Sequence, residues 1–194
     1  MGGDTKVDER KLTRRELVER MLAGMAAGAA WPLLASAHPI HEHLKNAALL
    51  DRADVAHKSA DWKLLFLDTK QSESLGALAE TMVPGSAKAQ VNRFIDLLLS
   101  VDSKKHQQEF VGSLAALESG AEKHFGRRFP ALTVSEQESM LTDFSHDESE
   151  HFENLKEWIA GAYYSSEEGM RELGWDGKHA FAKFPGCEHA GEPH

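Results

Sequence analysis

The chain is 194 residues long, with 31 acidic against 22 basic side chains and a formal charge of −9. That length holds one domain, and an acidic chain is a poor match for nucleic acid, whose binding rests on Lys and Arg contacts to phosphate. A single cysteine, Cys187, excludes an internal disulfide framework, a cysteine-based zinc site and a c-type haem box.

Residues 1–20 are polar and charged, residues 21–35 are mostly apolar and rich in Ala and Gly, and Ala35-Ser36-Ala37 follows. A charged region, a short apolar region and a small-x-small site are the parts of a secretory signal. The apolar run falls short of the about 20 residues a bilayer span needs, so removal after Ala37 is expected rather than anchoring. Thr13-Arg14-Arg15-Glu16-Leu17-Val18 resembles the twin-arginine translocation signal of bacteria. Such signals serve proteins that cross the membrane already folded, which places the mature chain in the periplasm. The removed segment carries six basic and five acidic residues, so the formal charge moves from −9 to −10.

The mature chain reads as an arm over 38–61 and a helical domain over 62–194. The arm is polar and broken in pattern, loosely attached, with a helical stretch over 44–55. Residues 62–67 form a short apolar segment that could be extended. Asp68 with Gln71 has the spacing of a capping box, and Leu75, Leu78, Ala79 and Met82 then recur at helical period before Pro84-Gly85. Val91, Phe94, Ile95 and Leu98 form one apolar stripe. Phe110, Leu114, Leu117 and Ala121 form another, closed by Gly126. Ser135 with Glu138 is read as the cap of a helix holding Met140, Leu141 and Phe144, and Phe152, Leu155, Ile159 and Tyr163 line the next. Ser165 with Glu168 is read as the capping box of a brief last helix stopped by Gly174. Alternating strand patterns are nearly absent. The expectation is an all-α, single small bundle of about five main helices, with an irregular tail rich in aromatic residues and Gly.

Chemistry is hard to place on this pattern. Glu148 and His151 have the Glu-x-x-His spacing, but di-metal carboxylate bundles use it twice with two further Glu, and here it occurs once. Within the same stretch, His146–Glu150 and Asp147–His151 are ordinary i, i+4 neighbours of a wet helix face. His38, His41 and His43 could chelate a metal in the arm, and His189 and His194 beside Cys187 in the tail, without evident supporting partners. The nucleophile-elbow pattern and the glycine-rich dinucleotide and phosphate cradles are missing. The expectation is a chain with no catalytic residue, metal or cofactor of its own.

Ala162-Tyr163-Tyr164-Ser165-Ser166 with Gly169, then Leu173-Gly174-Trp175-Asp176-Gly177, then Phe184-Pro185-Gly186-Cys187, resembles the gluconate 2-dehydrogenase subunit 3 family. The family's usual Gly-Tyr-Tyr is Ala162-Tyr163-Tyr164 here, and Trp175 stands where Tyr is frequent. Residues 78–84, the stretch through Val91, Phe94, Ile95 and Asp96, and residues 110–117 add to the likeness, which spans about 62–187 and leaves the arm outside. The resemblance implies a small subunit of a periplasmic or membrane-associated dehydrogenase of sugars, sugar acids or polyols. Its large partner would be a flavoprotein of the glucose–methanol–choline type carrying FAD, with a cytochrome c subunit taking the electrons onward. The twin-arginine signal on the small subunit would then carry both chains through the translocase.

A cofactor-free bundle has little need of a folded-state route, because local contacts let it fold quickly, so the signal points to a partner that needs it. The aromatic residues of the tail are the expected contact with that partner: Tyr163, Tyr164, Trp175 and Phe184, with Cys187 able to pair across chains. Two alternatives stand beside this reading. One is a helical metalloenzyme using Glu148 and His151, and the other a free-standing periplasmic binding or structural protein.

Overall fold

The computed structural model describes residues 40, 43–59 and 62–174. Arg14, Arg15, Ala37, Trp175, Phe184 and Cys187 lie outside them. Among the described residues there are seven α-helices and no strand, so the all-α expectation holds. In chain order they are α1 (Ala47–Lys58), α2 (Thr69–Met82), α3 (Val91–Leu99), α4 (Lys104–Phe125), α5 (Val134–Asp147), α6 (Ser149–Tyr164) and α7 (Glu167–Glu172). Short 3-10 turns at His43–Lys45 and Phe129–Ala131 precede α1 and α5.

The bundle is organised around α3. Seven of its nine residues are buried, all but Asn92 and Arg93, so its neighbours enclose it except along one polar edge. It packs against α1, α2 and α6. The largest contact elsewhere is α4 against α6, where Phe110 and the buried Trp158 meet edge to face at 5.6 Å and 74°, a favoured arrangement of two ring quadrupoles.

Asp96 is the exception on α3, a fully buried acid among leucines. Its Oδ1 accepts the backbone N–H groups of Phe66 and Leu67 at 2.9 and 2.8 Å, and its Oδ2 accepts that of Leu65 at 2.8 Å. These donors explain why residues 62–67 are irregular rather than a strand. An extended segment would need a neighbouring strand to pair with, and here a single side chain supplies the acceptors instead.

Helix ends follow local chemistry. Asp68 and Gln71 exchange bonds as the expected box, Gln71 N–H to Asp68 Oδ1 at 2.8 Å and Asp68 N–H to Gln71 Oε1 at 2.9 Å. Ser103 opens α4, and Gly126 closes it at a φ of 66°, a conformation suited to glycine. At α5 the structure corrects the sequence reading. The cap is Thr133 with Glu136, not Ser135 with Glu138. Arg128 fastens the turn before it to α2, donating to the Lys70 carbonyl and to Ser74 Oγ, both at 2.8 Å.

The arm is not loose over its described residues. Ile40, Leu49, Leu50 and Ala53 are all buried in the common core. Asp102, in the turn between α3 and α4, joins the arm by its side chain. Its Oδ1 bonds His106 Nδ1 at 2.9 Å, while Oδ2 is buried 3.1 Å from His43 Nε2, a close approach without well-aligned hydrogen-bond geometry.

Two stability experiments follow. Asp96→Asn replaces one acceptor oxygen by an NH2 group that must face a backbone N–H, and we expect a loss of about 2–4 kcal/mol in urea unfolding, the cost of breaking a buried charged acceptor. For Asp102, burial pushes the carboxyl up, but the contacts with His43, Ser103 N–H and His106 together outweigh it and hold it below 3.8. A depressed carboxyl stabilises the fold above its unfolded value and loses that contribution as the pH falls through the folded one. Stability should therefore drop more steeply below about pH 4 in the native protein than in Asp102→Asn, read from urea midpoints across an acid series.

Candidate functional site

The stretch that concentrates titratable residues does not assemble a reaction centre. Glu148 is exposed at the break between α5 and α6, with φ −128° and ψ 48°. Three residues on, His151 turns to α4, its Nδ1 at 3.1 Å from Ser113 Oγ. A serine beside an imidazole invites a nucleophilic reading, but this one is buried. Its oxygen is shared by the Glu109 carbonyl at 2.9 Å and the Asn154 amide at 2.9 Å. A substrate could reach it only by parting α4 from α6. Among the described residues no group of three or more His, Cys, Asp and Glu side chains is placed to hold a metal ion.

The end of α6 is built differently. Here α6 stops at Tyr164 and the chain doubles back into α7 after two serines. Ser166 caps α7 by accepting the Gly169 N–H at 3.1 Å, which corrects the reading of Ser165 with Glu168 as the capping pair. Ser165 instead donates to the Ala162 carbonyl at 3.0 Å, and Glu168 faces Lys88 at 3.9 Å. Gly169 is required by space: a Cβ there would fall on the carbonyl of Tyr163 and within 2.9 Å of Tyr164 Cα. The missing side chain is what lets α7 lie against the end of α6.

Tyr163 holds this elbow together. Its ring is buried and its hydroxyl donates to Glu172 Oε2 on α7 at 2.8 Å. The same hydroxyl lies against Gly85, where an added Cβ would stand 3.2 Å from it and where φ is already 99°. One side chain thus braces α6, α7 and the loop after α2. Burial, and after it the bond to and charge of Glu172, push the phenol up to about 12. Sequence reasoning missed Gly85 and Glu172 as its partners. The Pro84-Gly85 turn was visible, but nothing in the spacing showed what it turns around.

Tyr164 and Leu173 are left facing outward, 36% and 64% exposed. The Tyr164 ring meets Tyr163 edge to face at 5.2 Å. Of the residues expected at a partner contact, Tyr163 is therefore inside and Tyr164 outside, while Trp175, Phe184 and Cys187 fall beyond the described residues. Among the described residues no helix is long and apolar enough to cross a membrane.

The family described as gluconate 2-dehydrogenase subunit 3 matches residues 69–186. That is more than half of the sequence, and the chain belongs to this family. The match opens at the first residue of α2, takes in the whole elbow, and leaves α1 and the 3-10 turn before it outside. No curated protein and no solved structure matches the chain.

The brace can be tested by titration. A phenol raised above its ordinary value stabilises the folded state below about pH 10 and ceases to do so as the pH climbs to about 12. Absorbance at alkaline pH should show a step near 12 that Tyr163→Phe removes. Gly169→Ala should cost about 2 kcal/mol or more, because backbone rather than a movable side chain stands in the way.

Proposed function

We propose that this chain is the non-catalytic small subunit of an exported, FAD-dependent dehydrogenase acting on sugars, sugar acids or polyols, and that it carries its flavoprotein partner through the twin-arginine translocase. The coarser part of this is family membership: a subunit-3 protein of a dehydrogenase works beside a larger chain. The observation that supports a partner contact is the division of labour at the elbow. The motif through Ala162, Tyr163, Ser166 and Gly169 is spent on closing the fold, while Tyr164 and Leu173 are presented outward at its end. Aromatic and apolar groups at such a place are apt anchors for a partner, since a few buried rings commonly carry most of an interface.

The finer assignments rest on the sequence. Arg14-Arg15 before a weakly hydrophobic Gly/Ala-rich stretch supports the twin-arginine route, and the folded-cargo requirement of that route suits a partner that takes up FAD before export. The missing dinucleotide and phosphate cradles fit a flavin held by the other chain. A cytochrome c subunit would complete the electron path.

Purification of the tagged chain from the cell envelope under mild conditions should bring down a flavoprotein with its yellow cofactor. Replacing Arg14 and Arg15 together by Lys keeps the charge and removes the planar guanidinium groups; both chains should then remain in the cytoplasm. Recovery of the exported chain alone, with the flavoprotein exported independently, would end this reading. Tyr164→Ala with Leu173→Ser, or Trp175→Ala with Phe184→Ala, should weaken association by on the order of 2 kcal/mol and leave the helical circular dichroism of the lone subunit intact.

A further inference from the structure

Between α2 and α4, beside the turn that carries Arg128, the surface holds a hollow of about 290 Å³. That volume stands near the small end of the range for ligand pockets. Val111, Leu114 and Ala115 of α4 give it an apolar wall, and Lys70 and Arg128 face it together with Glu118. Two cations against one carboxylate leave the lining with a surplus positive charge, in a chain whose formal charge is −9.

The two cations are held differently. The Arg128 guanidinium donates to Glu73 Oε2 at 3.1 Å, and to the Lys70 carbonyl and Ser74 Oγ at 2.8 Å. Ser74, itself buried, bonds in turn to Glu118. These bonds fix the guanidinium without exhausting it. It has five N–H groups, and its Nε stands 3.7 Å from Glu118 Oε2, too far for a hydrogen bond. Lys70 gives its carbonyl to this network, but its ammonium has no ion-pair or hydrogen-bond partner among the described residues.

We propose that this hollow binds a small organic acid, a carboxylate carried on a short apolar chain. The Lys70 ammonium and the unused N–H groups of Arg128 receive the carboxylate, and the chain lies along Val111, Leu114 and Ala115. Glu118 sets the charge of the ligand. It offsets one of the two cations, so the site suits a monoanion better than phosphate or sulfate, and it leaves a neutral analogue with nothing to neutralise the ammonium. Arg128 is held in place before the ligand arrives, which lowers the cost of ordering the site on binding.

The test is saturation-transfer NMR on the exported chain, with any subunit that accompanies it, using straight-chain acids from acetate to decanoate. Each added CH2 should tighten binding about two- to fourfold until the apolar wall is covered. Hexanamide, which keeps the shape and loses the charge, should bind about tenfold more weakly than hexanoate or worse. Lys70→Gln should weaken hexanoate about tenfold and erase its advantage over the amide. Ala115→Leu, a change between two good helix formers, fills the apolar wall and should weaken hexanoate more than acetate. Lys123→Gln, at the exposed end of the same helix, should change nothing. Hexanoate affinity unmoved by Lys70→Gln or by Ala115→Leu, or equally weakened by Lys123→Gln, would overturn the proposal. Phosphate competing as well as hexanoate would overturn it too, by showing a patch for any anion, and so would the absence of saturable binding.

Discussion

Asp96 sits at the centre of the molecule and holds three backbone N–H groups from a segment about thirty residues earlier. An acid in that position would be costly if unpaired, because a buried charge without partners loses its hydration for nothing. Paired as it is, it does what a strand would otherwise do for residues 62–67, and it fixes where that segment runs. The arm packs against α3, and α2 departs immediately after Leu67, so both directions of the chain from this segment are set by one carboxyl group. The apolar surface of α3 can then be covered on the side of α1 as well as on those of α2 and α6.

Other acids of the chain are used in the same way. Glu80 gathers the N–H groups of Gly85 and Ala87 at 3.0 and 2.8 Å, shaping the loop that receives Tyr163. Glu172 takes the Tyr163 hydroxyl, and Glu136 caps α5. A formal charge of −9 thus overstates how much of the acidity is free to meet a partner. Part of it is spent on backbone donors that an all-α fold leaves open wherever a helix starts or a loop turns.

The helical stripes were legible because burial on one side of a helix imposes a period that nothing else in a sequence mimics. Caps were legible only to within a residue or two. Thr133-x-x-Glu136 and Ser135-x-x-Glu138 have the same spacing, and the choice falls to Phe129, buried ahead of the helix, and to the turn that follows it. Ser165 and Ser166 are adjacent hydroxyls, and the close approach at Gly169 decides between them. The arm looked unattached because its apolar runs are short and interrupted by charge, with Ile40 far from Leu49, Leu50 and Ala53, yet these four all reach the core. Tyr163 belonged to two patterns at once, the apolar stripe of α6 and the aromatic tail. It lies where the stripe puts it, with Tyr164 beside it at the exposed edge of the helix. The contact between Asp96 and residues 65–67 had no signature at all, since the sequence does not say which distant backbone a buried acid will serve.

The same three hydrogen bonds impose an order on how the molecule comes together. Helices α2 to α4 are local structures and can form from their own stretches of chain, whereas the segment at 62–67 has no partner until α3 exists to present Asp96. Closing a loop of about thirty residues carries an entropic cost that the bonds return only once the acceptor is in place. Trp62 stands at the start of that segment and packs against the finished core, so its indole reports on a late step. The arm, which is joined to the core through this segment, is then the last part to settle.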